Sequence, residues 1–308
     1  MSHFIAPSPP TAARLNTLMM MTNHTHSNPA DPTGNRSGSP AEHSPADRGT
    51  LDLALDQVEP VSPPDTWAQR CADQGIVLED NEIAQLGRFL AMLLHANTRM
   101  NLTAVRDAGE AWDRHIFDSL TLIPLLSELE PGAQIIDIGS GGGLPGLPLA
   151  IAMPQLQFTL MDATKKKCDY LELAAKSLGL SNVRVVCARA ETLGQDRGLK
   201  TATGRDDAHR EQYDIAMARG VGQIAMLSEL TVPLVKVGGL VLMTKGQRAD
   251  EELAQAKQAL HLLHAAHAGT VETPTGKVVV IEKLRRTPRV YPRRDGEPKR
   301  APLGIPKK

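Results

Sequence analysis

IIDIGSGGGLPGLPL, running from Ile135 to Leu149, decides how the rest of the chain is read. The apolar run Ile135-Ile136-Asp137-Ile138 leads directly into Gly139-Ser140-Gly141-Gly142-Gly143, and a helical pattern follows. A strand, a glycine turn and a helix are what an open parallel sheet places at the switch point where its strand order reverses, and ligands bind there. Glycine is required because the backbone turns sharply and a ligand approaches with no Cβ in its way. Five glycines fall within the eight residues from Gly139 to Gly146, too many for a plain strand-to-helix turn.

Outward from this turn, short apolar runs alternate with helical ones. The pattern predicts strands over Gln134–Ile138, Gln157–Met161, Val183–Val186, Tyr213–Met217, Gly239–Thr244 and Lys277–Glu282. It predicts helices over Leu144–Ala152, Lys165–Leu178, Val221–Val232 and Ala249–Ala265. Such alternation implies an α/β fold with a doubly wound, mostly parallel sheet over residues 133–284. Composition agrees, since 41% of the 308 residues are hydrophobic but only 3% aromatic, which suits a core of Leu, Val, Ile and Ala. Upstream, Ile83, Leu86, Phe89, Leu90, Leu93 and Leu94 recur at helical spacing, and Trp112, Ile116, Leu120, Ile123 and Leu126 repeat it. Residues 67–132 are therefore expected to be helices packed on one edge of the domain.

Residues 1–66 are rich in Pro, Ser, Thr, Asn and His without apolar periodicity, so disorder is expected, with order starting near Trp67. Gly194 to Gln212 reads as a polar surface loop, and residues 285–308 as a basic, extended tail. The cysteines Cys71, Cys168 and Cys187 are scattered and without metal-ligand spacing, so they are expected to be reduced. His261, His264 and His267 lie three apart, not the four that helical zinc ligands prefer, and read as a half-exposed helix face. No metal is expected. No apolar run approaches the roughly 18 residues of a membrane span, and the N-terminus lacks a secretory signal pattern. A cytoplasmic monomer is expected. The net charge of -1 points to no partner, so any polyanion must be held by a local patch.

Two ligand classes suit the glycine turn. Gly141-x-Gly143-x-x-Gly146 formally matches the dinucleotide fingerprint, a weak signal alone. A dinucleotide needs its pyrophosphate on free N–H groups at the helix N-terminus, and Pro145 supplies none there. S-adenosylmethionine carries no phosphate and loses less. Asp137 then stands ready to order the glycine loop or meet the cofactor's ammonium. Asp162 ends the second strand, where a carboxylate can accept the ribose hydroxyls or cap the following helix. The turn at Ala190-Glu191 after the third strand would lie beside adenine. Arg219 ends the fourth strand and could hold the cofactor carboxylate or the substrate.

Four motifs stand in order: NLTAVRD from Asn101, RHIFDSL from Arg114, DIGSGGGLPGLPLAI from Asp137 and TKG from Thr244. Together, over roughly residues 81–303, they resemble the ribosomal RNA small-subunit methyltransferase G family, also called GidB. The resemblance implies a class I, Rossmann-like S-adenosylmethionine-dependent enzyme that methylates N7 of one guanine in 16S ribosomal RNA. It assigns cofactor contacts to Gly139, Leu144, Ala190, Glu191 and Arg219; Gly141 and Asp162 join them by position. In the family the arginine usually sits between Ser and Ala; here it follows Ala218 and precedes Gly220.

Guanine N7 is an unprotonated lone pair, so its methylation needs no general base, and no catalytic acid–base pair is assigned. RNA does need cations. The run from Lys283 to Lys308 holds ten positive and two negative residues, and Arg289, Tyr291, Arg293 and Arg294 are its candidates for RNA contact, with Tyr291 as a stacking ring. Arg106, Arg114, His115 and Lys245 are further candidates. An intrahelical pair between Arg114 and Asp118 is an equally weighted alternative for that arginine. Three other functions remain open at this point: a methyltransferase acting on a small molecule or protein, a nicotinamide oxidoreductase, and a non-catalytic RNA-binding protein.

Overall fold

The computed structural model describes Leu53 and residues 55–201, 204–206, 208–220 and 222–305. The disorder expected for the first 52 residues lies outside them. Order does not wait for Trp67, however. A 3-10 turn at Leu55–Gln57 precedes it, and Leu53 and Leu55 are buried in the core. Leu51, Leu53 and Leu55 alternate over only five residues beside a long Pro- and Ser-rich segment, too short a pattern to predict an element, so the docking site is what reveals Leu53 and Leu55 as core.

Helices α1 (Trp67–Asp73) and α2 (Asp80–Met100) follow. A reciprocal capping box between Glu79 and Glu82 starts α2 and satisfies its free N–H groups. The predicted second helix is broken into α3 (Ala108–Ala111), a π-helical turn over Trp112–Phe117, α4 (Asp118–Leu120) and α5 (Ile123–Leu126). Trp67 packs edge-on against Trp112 with ring centroids 4.8 Å apart, locking α1 to the π-turn.

The α/β part then runs β1 (Gln134–Ile138), α6 (Gly146–Ala152), β2 (Gln157–Asp162), α7 (Lys165–Ser177), β3 (Val183–Cys187) and α8 (Ala190–Gln195). The expected polar loop carries a small antiparallel hairpin, β4 (Leu199–Thr201) and β5 (Gly204–Asp206). Next come β6 (Tyr213–Arg219), α9 (Ile224–Thr231), β7 (Val235–Lys245) and α10 (Ala249–Leu263). The chain closes with β8 (Ala265–Thr273), β9 (Gly276–Lys283) and the short α11 (Glu297–Arg300).

Seven strands form one sheet in the order β3-β2-β1-β6-β7-β9-β8. The first five are parallel, while β9 and β8 run antiparallel. The doubly wound, mostly parallel sheet is thus as expected, with the switch point between β1 and β6. β8 was not expected. His264 takes a left-handed conformation (φ 61°) that ends α10 and reverses the chain, so His261 is helical while His267 lies on a strand. β8 is an edge strand with a register shift between His267 and Gly269, and its side chains do not alternate cleanly.

Side-chain alternation divides the interior. Ile135, Leu160, Ile215, Met217 and Leu242 point into a core shared with α2, α6, α7 and the π-turn. Ile136, Met161, Ala216, Val241 and Val279 point into a second core with α9 and α10. Burying each large aliphatic contributes about 1.5–3 kcal/mol, so a sheet covered on both faces holds its register firmly.

The basic C-terminal run is not a free tail. Arg293 donates to Glu229, which is 0% exposed inside the second core, at 2.8 and 2.6 Å. Pro292 packs against Gly194, Leu303 is buried, and Arg210 donates to the carbonyls of Thr287 and Tyr291. Residues 285–305 are therefore strapped along α8 and α9. Replacing Arg293 by Ala would leave the buried Glu229 carboxylate unpaired and should cost about 3 kcal/mol. A urea titration reads this directly, and faster trypsin cleavage around Arg294 should accompany it; unchanged stability and cleavage would show that the strap is held elsewhere.

Candidate active site

β1 delivers its last residues to the switch point. Gly139, Gly141 and Gly143 have φ of 76°, 56° and 91°, values only glycine adopts without strain. The turn is pinned from both sides. Gly139 N–H donates to the carbonyl of Met161 at 2.8 Å, and Gly141 N–H donates to Asp162 Oδ2 at 3.2 Å. Leu144 N–H donates to the carbonyl of Ser140 at 3.0 Å.

Asp137 is 1% exposed beneath this turn. Its Oδ2 accepts the N–H of Gly146, the first residue of α6, at 3.1 Å. A Cβ at Gly146 would lie 2.9 Å from that oxygen and 2.2 Å from Leu160, so the third glycine of the fingerprint exists for close packing. Asp137 Oδ1 is buried with no hydrogen-bond partner. Burial pushes the carboxyl up to about 7, against the pull of hydrogen bonds from Ser140 and Gly146 and the charge of Arg219.

Asp162 ends β2 and accepts from both Gly141 and Thr164 N–H, the latter at 2.8 Å. It therefore orders the glycine turn and the entry to α7 together. Ala190 begins α8, but Glu191 turns away from the expected role. Its buried carboxylate accepts the N–H of Gly296 at 2.8 Å and pairs with Arg189 at 3.3 Å. Burial raises its pKa, but these hydrogen bonds outweigh burial and leave it lowered. Glu191 thus anchors the C-terminal strap at the edge of the site.

Arg219 ends β6, and its Nε lies 2.9 Å from Asp118 Oδ2. It also donates to the carbonyl of Arg114, while its Nη1 is buried with no partner. The pair Arg219–Asp118 replaces the weighed Arg114–Asp118 pair; Arg114 instead meets Glu110 at 2.9 Å, largely in solvent. A π-helical turn widens the helix by one residue and is frequent at functional sites. Here it presents Asp118 and the Arg114 carbonyl to Arg219.

His115, on the same turn, is 6% exposed and shares a hydrogen bond with Thr103 at 2.7 Å. Burial, aided by the Arg219 charge, lowers its pKa, so the ring is neutral and unsuited to holding phosphate. Asn97 accepts from Leu102 and Thr103 N–H at 2.7 and 3.0 Å. That staple seats the loop after α2 over the glycine turn, where a Cβ on Gly142 would meet Leu93 at 2.7 Å and Leu102 at 3.4 Å.

Other candidates for contact with RNA divide. Lys245 is not free, since it meets Glu252 at 2.8 Å and the Gly222 carbonyl at 2.5 Å. Arg293 holds Glu229, and Tyr291 packs on the second core rather than offering an open ring. Arg106, Arg289 and Arg294 stay exposed. Asp118, Asn97 and Arg210 are functional-site or strap residues that sequence reasoning did not assign as such. Only Asp118 had a signal, its place in RHIFDS.

The motifs NLTAVRD, RHIFDSL and DIGSGGGLPG, distant in sequence, thus meet around one turn. A family model described as rRNA small subunit methyltransferase G matches residues 82–279. The chain belongs to this family. A ribosomal RNA small subunit methyltransferase G of Sorangium cellulosum is 49% identical over 242 residues, covering 79% of this chain and 97% of that one. The enzyme of the same name from Leuconostoc citreum is 38% identical, covering 75% of this chain and 95% of that one. A solved rRNA methylase from Streptococcus thermophilus shares 14% identity and a TM-score of 0.37, covering 59% of this chain and 99% of that one, too distant to bear on the site. Among the described residues no helix is long and apolar enough to cross a membrane, and no three ligating side chains cluster as a metal site.

Asp137 yields a pH prediction. Its carboxyl binds a proton more tightly folded (about 7) than unfolded (3.8), so its stabilisation is full below the lower value and is lost as pH rises to the upper one. Each unit in that window removes up to about 1.4 kcal/mol. Asp137→Asn cannot titrate, so the difference in stability between variant and wild type should grow from pH 4 to 7, read by denaturant unfolding. A constant difference across that range would contradict the assignment.

Proposed function

We propose that this protein transfers a methyl group from S-adenosylmethionine to N7 of a guanine in small-subunit ribosomal RNA. The observation that carries the reading is a pair of orphaned buried polar atoms flanking the glycine turn, Oδ1 of the acid Asp137 and Nη1 of the base Arg219. Buried polar atoms without partners are rare and call for an explanation. A methionine moiety carries an ammonium and a carboxylate, which match this acid and this base in sign and type. The glycine turn, Leu144, Asp162 and the Ala190 N-terminus of α8 line the remainder of the same rim. α6, only seven residues long and entered through Pro145, gives a pyrophosphate little to bind, which weighs against a dinucleotide.

The bound cofactor supplies an electrophilic sulfonium methyl. This chain's residues supply position. Asp162 and the Met161 carbonyl hold the glycine turn open, and Asp118 and the Arg114 carbonyl aim Arg219 across it. The loop stapled by Asn97 and the π-turn wall one side of the site and exclude water. No proton must be removed from guanine N7, and the one histidine brought to the site is neutral and hydrogen-bonded to Thr103. The nucleotide to be methylated is expected to come from small-subunit RNA or the assembled subunit.

The test combines purified protein, labelled S-adenosylmethionine and small subunits lacking their native N7 methylation, followed by nucleoside analysis. Label is expected in 7-methylguanosine, and Arg219→Ala should lower kcat/KM roughly 100-fold, the scale of one lost buried charged contact. Arg219→Lys, which keeps charge but not the fork, should fall between. Cofactor binding with no label in any RNA would refute the ribosomal reading.

A further inference from the structure

The sheet has a second rim, where the parallel strands begin. Tyr213 opens β6 there and Lys283 ends the antiparallel β9, so Glu211 and Arg286 leave the sheet at the end opposite the glycine turn. β6 spans seven residues, which sets the two rims about 20 Å apart. This lower rim carries a cavity of about 530 Å³ lined by, among others, Arg197, Arg210, Glu211, Arg286, Thr287 and Arg289.

Among the described residues of this lining, four are arginines and one is a carboxylate. Arg210 is the structural one: its guanidinium donates to the carbonyls of Gly194 and Thr287 at 2.6 and 2.8 Å. Its pKa is lowered by burial first, and the charges of Arg197 and Arg289 lower it further, against Glu211. Lys283, fully buried, meets Glu211 at 3.0 Å, and burial pushes its pKa down to about 8. Arg286 reaches the same glutamate at 3.8 Å. One carboxylate is thus shared among several cations. Glu211 itself sits at φ 60°, a strained conformation for a side chain with a Cβ, held by its N–H to the Pro233 carbonyl at 3.0 Å. Thr287, 4% exposed, has its hydroxyl buried without a partner. Exposed guanidinium groups and a hydroxyl lining one cavity are donors of the kind that match phosphate oxygens.

We propose that this lower-rim cavity binds a phosphate group of the RNA backbone, as an anchor remote from the methyl-transfer site. The proposal rests on the RNA-substrate reading above. The strap favours a polyanion over a small free phosphate. It runs from Lys283 at the lower rim to Gly296, bonded to Glu191 beside the upper rim, and exposes Arg285, Arg286, Arg289 and Arg294 along the way. A single phosphate needs one pocket; a cationic track joining two rims suits a chain of phosphates.

The full-length protein and the double variant Arg286→Gln/Arg289→Gln would be titrated with a fluorescent twenty-residue oligouridylate across 50–200 mM KCl. Both side chains are exposed, so melting temperature should not move. Loss of two phosphate contacts should flatten the slope of log affinity against log salt by about 1.4 and weaken binding several-fold. With undermethylated small subunits, KM should rise while kcat stays unchanged, as for a contact made equally in ground and transition states. Unchanged salt slope and affinity would overturn the anchor. A pyrophosphate-induced thermal shift abolished in the variant, with oligouridylate binding intact, would assign the cavity to a small free phosphate and also overturn it. Failure of the methyltransferase reading would show separately, as wild-type protein that labels no RNA.

Discussion

One buried carboxylate organises the centre of this molecule. Asp137 sits at the end of the central strand, fixed in the first α/β unit by the N–H of Gly146 and covered by the glycine turn. Burial favours its neutral form and leaves Oδ1 without a hydrogen-bond partner beneath the turn. Around it, each glycine has a separate steric reason. The turn glycines take left-handed angles, while Gly146 is small because Leu160 and Asp137 press on it. Larger residues there would shift α6 and with it the strand end.

The helical N-terminal part closes the site rather than merely covering the sheet. Arg219, from the strand across the switch point, reaches Asp118 and the carbonyl of Arg114 on the π-turn. That links the sheet to a helix which regular α-geometry would not present in the same way. His115 and Asn97 complete the wall through Thr103. Because these groups are mutually bonded, the wall beside the glycine turn is held in one arrangement.

The C-terminal strap joins two ends of the fold. Glu229 and Arg293 secure its middle, Arg210 its beginning and Glu191 its arrival beside the rim of the glycine turn. Charges that read in sequence as an RNA-binding tail therefore divide into structural ones turned inward and exposed ones left on a track. The exposed ones lie on a surface held rigidly against α8 and α9.

Local sequence determined six of the seven strands of the sheet, most helices and the place of the glycine turn, because short apolar runs and a glycine turn are imposed by backbone sterics within a few residues. It also marked Arg219, Asp162 and the family motifs. The edge strand β8 escaped it because an edge strand is half-solvated and this one slips register. The early docking of Leu53 and Leu55 escaped it because an alternation of only five residues beside a long polar segment carries too little signal. Tertiary structure alone decided which charges are partners: Asp118 pairs with Arg219 rather than with its helical neighbour Arg114, Lys245 with Glu252, and Arg293 with Glu229. Ion pairs depend on distances and burial set by the whole fold, and residues tens of positions apart carry no local signal of their meeting.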